Sequence, residues 1–245
     1  MNNSDVELSV VMPAYNEGDK IYNNSIHVSA AVAKFCDSYE IVVVNDGSKD
    51  ATKTETLRAQ EKDHHIRLVT YDENGGKGKA IRKGIETAKG KFIAMLDADL
   101  DLPPEQLKDY INVLRADQAD VVIGSKMHKD SQIDYPPIRK VMSFGYYCFL
   151  RMLFHLKIKD TQTGIKMFKA EVIKPIISLV QTKGFAYDIE ILVAVNCRRY
   201  RIKEMPVQLV FTRGNGMGRI HISDIFKMVG DTFKIFRRAR KKEYN

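Results

Sequence analysis

Short apolar runs alternate with stretches of helical composition over the first 125 residues of the chain. The apolar runs occupy residues 8–12, 40–44, 66–69, 92–96 and 121–123, and the helical stretches occupy about 20–35, 52–62, 77–88 and 104–116. Nearly continuous β-branched runs such as IVVV are typical of parallel strands covered on both faces. Strand and helix in alternation predict βαβ units, and hence an α/β fold with a doubly wound sheet.

A polar motif follows each of the five predicted strands. In chain order the motifs are PAYNE (13–17), NDGS (45–48), DENGGKGK (72–79), DADLD (97–101) and GSK (124–126). Ligands of doubly wound sheets bind beyond the carboxyl ends of the strands, so the motifs are predicted to converge on one edge. The first apolar run is predicted to stop at Pro13. No internal repeat or low-complexity tract suggests a second domain.

The DADLD motif places Asp97, Asp99 and Asp101 directly after a buried strand and before two prolines. Three like charges within five residues repel one another and are costly to desolvate. One interpretation is a turn or helix cap. The other is a site for Mg²⁺ or Mn²⁺, which prefer carboxylate oxygens. Asp46 and Glu17 at neighbouring strand ends favour the metal, because so many acids would repel one another without a cation or a base-pairing ligand.

Composition narrows the function without naming it. Hydrophobic residues make up 44% of the 245 residues, as in ordinary globular proteins. The cysteines (Cys36, Cys148 and Cys197) are far apart, so neither a disulfide framework nor a zinc site is indicated, which favours a reducing, cytosolic setting. Neither a leader peptide nor a membrane-spanning run is predicted. A net charge of +8 indicates an anionic partner: nucleic acid, a membrane surface or a phosphorylated substrate.

The sequence argues against several common kinds of binding site. The GGKGKA segment is not a P-loop, because Ala80 stands where Ser or Thr should follow Gly-Lys. No GxGxxG follows the first strand, so a dinucleotide site of the usual kind is not predicted. Basic residues are dispersed, with neither an aromatic-interleaved strand nor a recognition helix, which argues against nucleic-acid binding.

Seven segments together resemble a known family. PAYNE, VNDGSKDAT, NGGKGKAIRKGI, DADLDLPPE, GSK, DTQTGIKMF and GFAYDIEIL occur in the order and spacing of family-2 glycosyltransferases. The nearest group is similar to the polyprenyl-phosphate glucosyl- and mannosyltransferases, over about residues 8–219. The resemblance implies a GT-A fold, in which a mostly parallel mixed sheet has helices on both faces. Residues 1–219 would be the catalytic domain. Residues 220–245 would form a basic amphipathic helix, within that domain or extending along a membrane surface.

The resemblance also implies roles for single residues. The nucleoside pocket would be lined by Pro13, Tyr15, Glu17, Val44 and Asp46. The nucleotide sugar would further be held by Lys77, Asp97, Ala98, Lys126 and Arg219. The metal, Mg²⁺ or Mn²⁺, would be bound by Asp99 and Asp101, and the acceptor phosphate by Arg139, Ser143 and Arg213. Asp99, Arg139 and Arg213 are predicted to be catalytic, and Asp188 is a candidate catalytic carboxylate.

The implied reaction is inverting transfer of a hexose from a nucleotide sugar to a polyprenyl phosphate. A phosphate monoester is largely dianionic at neutral pH, so this acceptor needs no general base. The DTQ-x-G-x-K-x-F segment resembles the glucosyltransferase branch, which favours UDP-glucose. Four alternatives stay open: a dolichyl-phosphate mannosyltransferase using GDP-mannose, transfer to a glycan or lipid hydroxyl in cell-envelope polysaccharide synthesis with Asp188 as base, a non-catalytic scaffold, and a nucleic-acid-binding protein.

Two segments bear on membrane contact. Residues 139–154 are aromatic-rich with basic flanks, and the tail from residue 222 places apolar residues near helical spacing before a basic end. The spacing is shown by Ile222, Ile225, Phe226, Val229, Phe233 and Phe236. Both segments fit core-facing helices and also interfacial helices on an anionic leaflet. A polyprenyl acceptor favours the second interpretation, and so predicts a peripheral protein on the cytoplasmic membrane face. A separate integral-membrane partner is a further hypothesis.

Overall fold

The computed structural model describes residues 6–132, 137–182, 184, 186–210 and 222–244, and only the backbone of 137–144 and 222–226. Among these residues, strands β1 to β7 form one sheet. Their bounds are β1 Leu8–Ala14, β2 Tyr39–Asp46, β3 Ile66–Tyr71, β4 Phe92–Leu96, β5 Val121–Ser125, β6 Ile165–Lys169 and β7 Ile202–Pro206. The order is β3-β2-β1-β4-β6-β5-β7, and β6 alone runs antiparallel to its neighbours. The predicted mixed, mostly parallel sheet is confirmed.

Helices pack on both faces of this sheet. Their bounds are α1 Ile21–Val32, α2 Thr52–Lys62, α3 Lys77–Thr87, α4 Leu107–Arg115, α5 Pro137–Phe154, α6 Ala170–Ile177, α7 Tyr187–Cys197 and α8 Ile222–Arg240. The four helices predicted in the first half are confirmed. A short 3₁₀ turn, Pro104–Gln106, precedes α4. Every residue of β2 is buried, as expected of a strand covered on both sides.

The first strand does not stop at Pro13, as the sequence predicts, but continues to Ala14. The pairing of β1 with β4 ends at Val11, whereas its pairing with β2 continues through Pro13 and Ala14. Proline has no backbone N–H and is tolerated where a strand has a neighbour on one side only. The strand therefore extends two residues toward the edge where the polar motifs lie.

One edge of the sheet gathers the chain segments of the candidate site. The carboxyl ends of the parallel strands lie there together with the amino end of antiparallel β6. Strand order reverses between β1 and β4, because the chain moves from β1 to β2 and β3 on one side and then to β4 on the other. Ligand crevices of open α/β sheets occur at such a switch point.

The C-terminal helix α8 packs against α7 and α5 instead of standing apart from the core. Thr232 and Ile235 are buried, Tyr146 and Thr232 share a hydrogen bond of 3.2 Å, and the Phe154 and Phe236 rings meet edge to face. The sequence pattern omits Ile235, and it includes Phe233, which is 46% exposed. The face of α8 that is buried is therefore rotated slightly from the one that the apolar spacing predicts. This face packs on the core, as the core-facing interpretation expects. No described helix is long and apolar enough to span a membrane.

Candidate active site

The loops after β1 and β2 are fastened to each other by side chains of the NDGSKDAT motif. The amides of Asn16, Glu17 and Gly18 donate to Ser48 Oγ (3.0 Å), Thr52 Oγ1 (2.9 Å) and Asp50 Oδ2 (2.9 Å), respectively. Asn16 has a φ of +53°, a conformation that is uncommon for a residue with a side chain. These contacts hold the PAYNE loop, with Tyr15 42% exposed, over the end of the sheet.

Asp46 ends β2 with its carboxylate occupied by donors of its own chain. Oδ1 accepts from the Tyr71 hydroxyl and the Gly75 amide, both at 2.7 Å, and Oδ2 accepts from Asn74 Nδ2 at 3.1 Å. Burial raises the pKa of the Tyr71 hydroxyl, as does the adjacent Asp46 carboxylate. Asp46 thus fixes the loop after β3. Val44 is fully buried in the core, so it has only its backbone to offer a ligand.

Lys77 and Asp97 form an ion pair at the sheet edge, with 2.6 Å between Nζ and Oδ1 and about a third of each side chain exposed. Lys77 is the first residue of α3, and Asp97 directly follows β4. Burial lowers the pKa of Lys77, but the charges of Asp97 and Asp188 raise it on balance. The ammonium group therefore stays protonated beside the acids.

Gly164, directly before β6, gives the Asp97 carboxylate its space. A Cβ at this glycine would lie 2.2 Å from Asp97 Oδ2, far inside van der Waals contact. In the sequence, Gly164 is visible only as the last residue of the DTQTG motif. The structure shows that this backbone must lack a side chain so that Asp97 can reach Lys77.

Behind this pair lies a buried ion pair between Lys166 and Asp188. Lys166 is fully buried on β6, and its Nζ donates to Asp188 Oδ1 at 2.7 Å and to the Thr163 carbonyl at 2.6 Å. Burial raises the pKa of Asp188, against the lowering effects of Lys166 and Lys77. The positive charges of Lys77 and Lys166 thus balance the negative charges of Asp97 and Asp188.

Asp99 lines a cleft of about 410 Å³ beside α1. The cleft is lined by Lys20, Asn24, His27, Asp99, Leu100, Pro103, Pro104 and Val210. Asn24 Nδ2 donates to the Ala98 carbonyl at 2.7 Å and so attaches the loop to α1. Leu100 has a φ of +55°, a strained conformation for a leucine, and such strain is concentrated at functional sites.

The acids of DADLD do not gather into a ready-made cage for a metal. Within the described residues, the cluster of three metal-ligating side chains with ligand atoms within 4.8 Å is Asp63, His64 and His65, at the opposite end of the sheet. Mg²⁺ is commonly held by one or two carboxylates and completed by substrate phosphates and water. Asp99, which lines the cleft, fits that requirement together with Asp101 two residues further along the loop.

The expectation that these acids would be unfavourable without a cation or a base-pairing ligand is therefore wrong for two of them. Asp46 is stabilised by a hydroxyl and two N–H donors, and Asp97 by the Lys77 ammonium. Hydrogen bonds and opposite charges stabilise an ionised carboxylate as a bound ion does. Asp99 is favoured as a metal ligand by its position at the cleft, and not by repulsion among the acids.

Lys126 is directed toward Asp160. Its amide donates to Asp160 Oδ2 at 2.9 Å, and its Nζ lies 3.7 Å from the same oxygen. Asp160 also accepts from the Thr163 hydroxyl at 2.6 Å and the Gln162 amide at 3.1 Å. Asp160 thus organises the DTQTG loop.

Some predicted residues lie outside the described part. Arg213 and Arg219 fall in the segment 211–221, and Arg139 and Ser143 belong to α5 at positions where only the backbone is described. Residues without an assigned role in the sequence, chiefly Lys166 and Asn24, prove central to the geometry. A lysine between apolar neighbours in GIKMF was the available signal for Lys166.

Comparison with known proteins agrees with this geometry. The model of glycosyl transferase family 2 matches residues 9–177. The chain is 30% identical over 243 residues to a dolichyl-phosphate beta-glucosyltransferase of Trichomonas vaginalis, covering 95% of this chain and 71% of that relative. It is also 30% identical over 227 residues to the dolichyl-phosphate beta-glucosyltransferase of Saccharomyces cerevisiae, covering 84% and 67% of the two chains.

Solved structures with the same fold are more distant in sequence. Glucosyl-3-phosphoglycerate synthase from Mycobacterium tuberculosis, in complex with Mn²⁺, UDP-glucose and phosphoglyceric acid, superposes with a TM-score of 0.68 at 17% identity, over 96% of this chain and 79% of that one. This likeness confirms the predicted GT-A fold. The matched family model and the relatives at 30% identity show that the chain belongs to glycosyl transferase family 2.

Proposed function

We propose that this glycosyltransferase moves glucose, with inversion, from UDP-glucose to a polyprenyl phosphate of the dolichyl type. The observation that carries the proposal is the grouping of Lys77, Asp97 and Asp99 at the switch point of the sheet, where a nucleotide diphosphate would lie. The relatives at 30% identity, which are dolichyl-phosphate beta-glucosyltransferases, support this choice of sugar and acceptor.

The nucleoside would lie against the loops after β1 and β2. Asp46 Oδ2 accepts a hydrogen bond from Asn74, and a carboxylate oxygen can accept two, so a uracil imide N–H has an acceptor there. Tyr15 offers an exposed ring, and the loop fastened by Ser48 and Thr52 fixes its backbone. Pro13 and Glu17 complete the proposed pocket.

The diphosphate would lie between Lys77 and Asp99. Asp99, with Asp101, would hold Mg²⁺ or Mn²⁺, which when bound supplies positive charge against the leaving diphosphate. Lys77 adds a fixed ammonium group, oriented by Asp97 before the substrate arrives. Charge placed in advance at the leaving group favours the transition state over the ground state. Ala98, Lys126 and Arg219 remain proposed contacts of the nucleotide sugar.

The surroundings of Asp188 favour a phosphate acceptor over a hydroxyl. A hydroxyl acceptor needs a general base within hydrogen-bond reach of its proton. Asp188 Oδ1 accepts a hydrogen bond from the fully buried Lys166, so the carboxylate belongs to an internal ion pair. A phosphate dianion needs no base, only cations to hold it. We assign that task to Arg139 and Arg213, with Ser143.

We also propose that the protein acts as one domain at a membrane surface on the cytoplasmic side, where a polyprenyl acceptor is met. Met152 of α5 is 69% exposed and Phe233 of α8 is 46% exposed, while Arg240 and two lysines at 241–242 add exposed positive charge. Apolar and basic side chains together favour binding to an anionic leaflet. A separate integral-membrane partner would strengthen the attachment.

A panel of nucleotide sugars tests the donor. With UDP-glucose and Mg²⁺ or Mn²⁺ at about 100 times Kd, binding should add about 2.7 kcal/mol to the free energy of unfolding and raise Tm by about 5–10 °C. UDP-N-acetylglucosamine, UDP-galactose and GDP-mannose should give smaller shifts, and EDTA should remove the UDP-glucose shift. If GDP-mannose gave the largest shift in Tm, the donor would be GDP-mannose and not UDP-glucose. Absence of any shift would contradict nucleotide-sugar binding by the chain alone.

Vesicle co-sedimentation tests the membrane surface. Lys241→Gln with Lys242→Gln should lower partitioning onto vesicles containing phosphatidylserine about 30-fold at low salt, since each basic residue near the surface contributes about 1 kcal/mol. Lys53→Gln with Lys62→Gln, an exposed pair on α2, changes net charge equally and should have little effect. An equal loss in both variants would show that total charge, and not this surface, determines binding.

A further inference from the structure

The segment 179–182, between α6 and α7, is held by charged side chains from three helices. Arg238 of α8 donates to the Leu179 carbonyl at 3.0 Å, and Arg82 of α3 donates to the Val180 carbonyl. Hydrogen bonds in which one partner is ionised are stronger than neutral ones. A loop anchored in this way has little freedom to shift independently of the helices around it.

Glu190 of α7 holds the other half of this segment. Its Oε2 accepts from the amides of Gln181 and Thr182 at 3.0 and 2.8 Å. Its Oε1 accepts from the Tyr244 hydroxyl at 2.9 Å and from Arg238. The Glu190 side chain is 1% exposed, so four donors replace the water it has lost. Removing any of them would weaken the hold on the segment.

The last described residues of the chain take part in the same set of contacts around Glu190 and Arg238. Tyr244 is fully buried, its carbonyl accepts from Arg198 Nε at 2.7 Å, and the Arg238 guanidinium lies 4.8 Å from the centre of its ring. Arg238 also donates through Nε to Glu243 at 2.7 Å. One arginine thus joins α8, its following turn, α7 and the segment 179–182.

Two of these helices also supply residues of the candidate active site. On α7, Glu190 is two residues from Asp188, which pairs with Lys166 behind Asp97. On α3, Arg82 is five residues from Lys77. A displacement of the segment 179–182 would therefore reach the sheet edge through both helices.

We propose that Glu190, Arg238 and Tyr244 form a clasp through which the C-terminal segment positions α7 and the active-site edge. The inference rests on the proposed function, because the site it positions is the one assigned to glucosyl transfer. It gives α8 a second role beside membrane contact. The three are positioning residues that act on catalysis through α7. Replacing them should therefore lower the rate of transfer to a soluble acceptor when no membrane is present.

Arg238→Gln tests the clasp, with Arg237→Gln as the matched control. Arg237 is the exposed neighbour on the same helix, so net charge changes equally. With a short-chain, water-soluble isoprenyl phosphate, kcat of Arg238→Gln should fall about tenfold, with KM for UDP-glucose within about twofold of wild type. Arg237→Gln should be within about twofold in both. Arg238→Lys, which keeps the charge but loses the forked contact, should recover part of kcat.

Hydrogen exchange provides a readout that does not depend on activity. The amide hydrogens of Gln181 and Thr182 should exchange about tenfold faster in Arg238→Gln and in Tyr244→Phe than in wild type. In Arg237→Gln their exchange rate should equal that of wild type. Unchanged exchange in Arg238→Gln would overturn the clasp. Faster exchange with wild-type kcat would overturn its positioning role. If wild type transfers to no acceptor, the proposed function fails, and exchange still decides whether the clasp exists.

Discussion

Asp99→Asn is expected to lower transfer at least about 10³-fold while leaving the fold intact. The amide has the size of the carboxylate but no charge, so it would hold Mg²⁺ or Mn²⁺ poorly beside the leaving diphosphate. Asp99 lines the open cleft and is only partly buried, so Tm should change by less than about 2 °C. Steady-state transfer assays over a range of Mn²⁺ concentrations measure the effect.

Asp101→Asn is the companion variant, since the same change is made at the second proposed ligand, two residues away in the same loop. Asp97 is unsuitable, because it is already paired with Lys77. We expect Asp101→Asn to raise the metal concentration needed for half-maximal rate, with a smaller loss at saturation. Near wild-type turnover by Asp99→Asn in metal-replete buffer would remove the metal assignment. Equal losses in both variants would instead indicate a shared pair of ligands.

The first half of the fold could be predicted because its signals are local. An apolar run and its following polar motif occupy adjacent positions, and the helix predicted at residues 52–62 is observed as α2, Thr52–Lys62. Errors there are small, such as the extension of β1 through Pro13. Parallel strands buried on both faces leave an unusually clear hydrophobic pattern.

The second half gives weaker local signals because its contacts span long distances in sequence. Strand β6 has five residues, and it contains Lys166, whose partner Asp188 is 22 residues further along the chain. A charged residue inside so short a strand obscures its hydrophobic pattern. Glu190 likewise joins Arg238, 48 residues away. Only the tertiary fold reveals why these charges are buried.

The same limit applies to the acids of the candidate site. The sequence shows the number and position of these acids but not their hydrogen-bond donors, and their mutual repulsion therefore predicts a bound cation. In the structure Asp46 is satisfied by Tyr71, Asn74 and Gly75, whereas Asp97 is satisfied by Lys77. The site thus has much of its charge balanced before any ligand binds. Asp99 is proposed as the metal ligand because it lines the cleft.

Lys166→Met is expected to cause the largest loss of stability among these variants, about 3–5 kcal/mol at pH 8. Methionine fits the volume, but it leaves Asp188 buried without its ion-pair partner, and breaking one side of a buried pair has a cost of this size. Urea unfolding followed by circular dichroism measures the change. Lys169→Met on the same strand is the control, because its partners Asp117 and Asp120 both keep Arg201 as an ion-pair partner, and it should cost about 1 kcal/mol.

The loss in Lys166→Met should depend on pH in a defined direction. Burial already raises the pKa of Asp188 above its ordinary 3.8, and removing the lysine that lowers it raises it further. Above pH 3.8 the folded variant then binds more protons than the unfolded chain, so its free energy of unfolding falls as pH rises through the raised pKa. The deficit relative to wild type should be smaller at pH 5 than at pH 8. Adding Asp188→Leu should recover part of the stability and remove this pH dependence. A deficit that is the same at both pH values would show that Asp188 is not left ionised and unpaired.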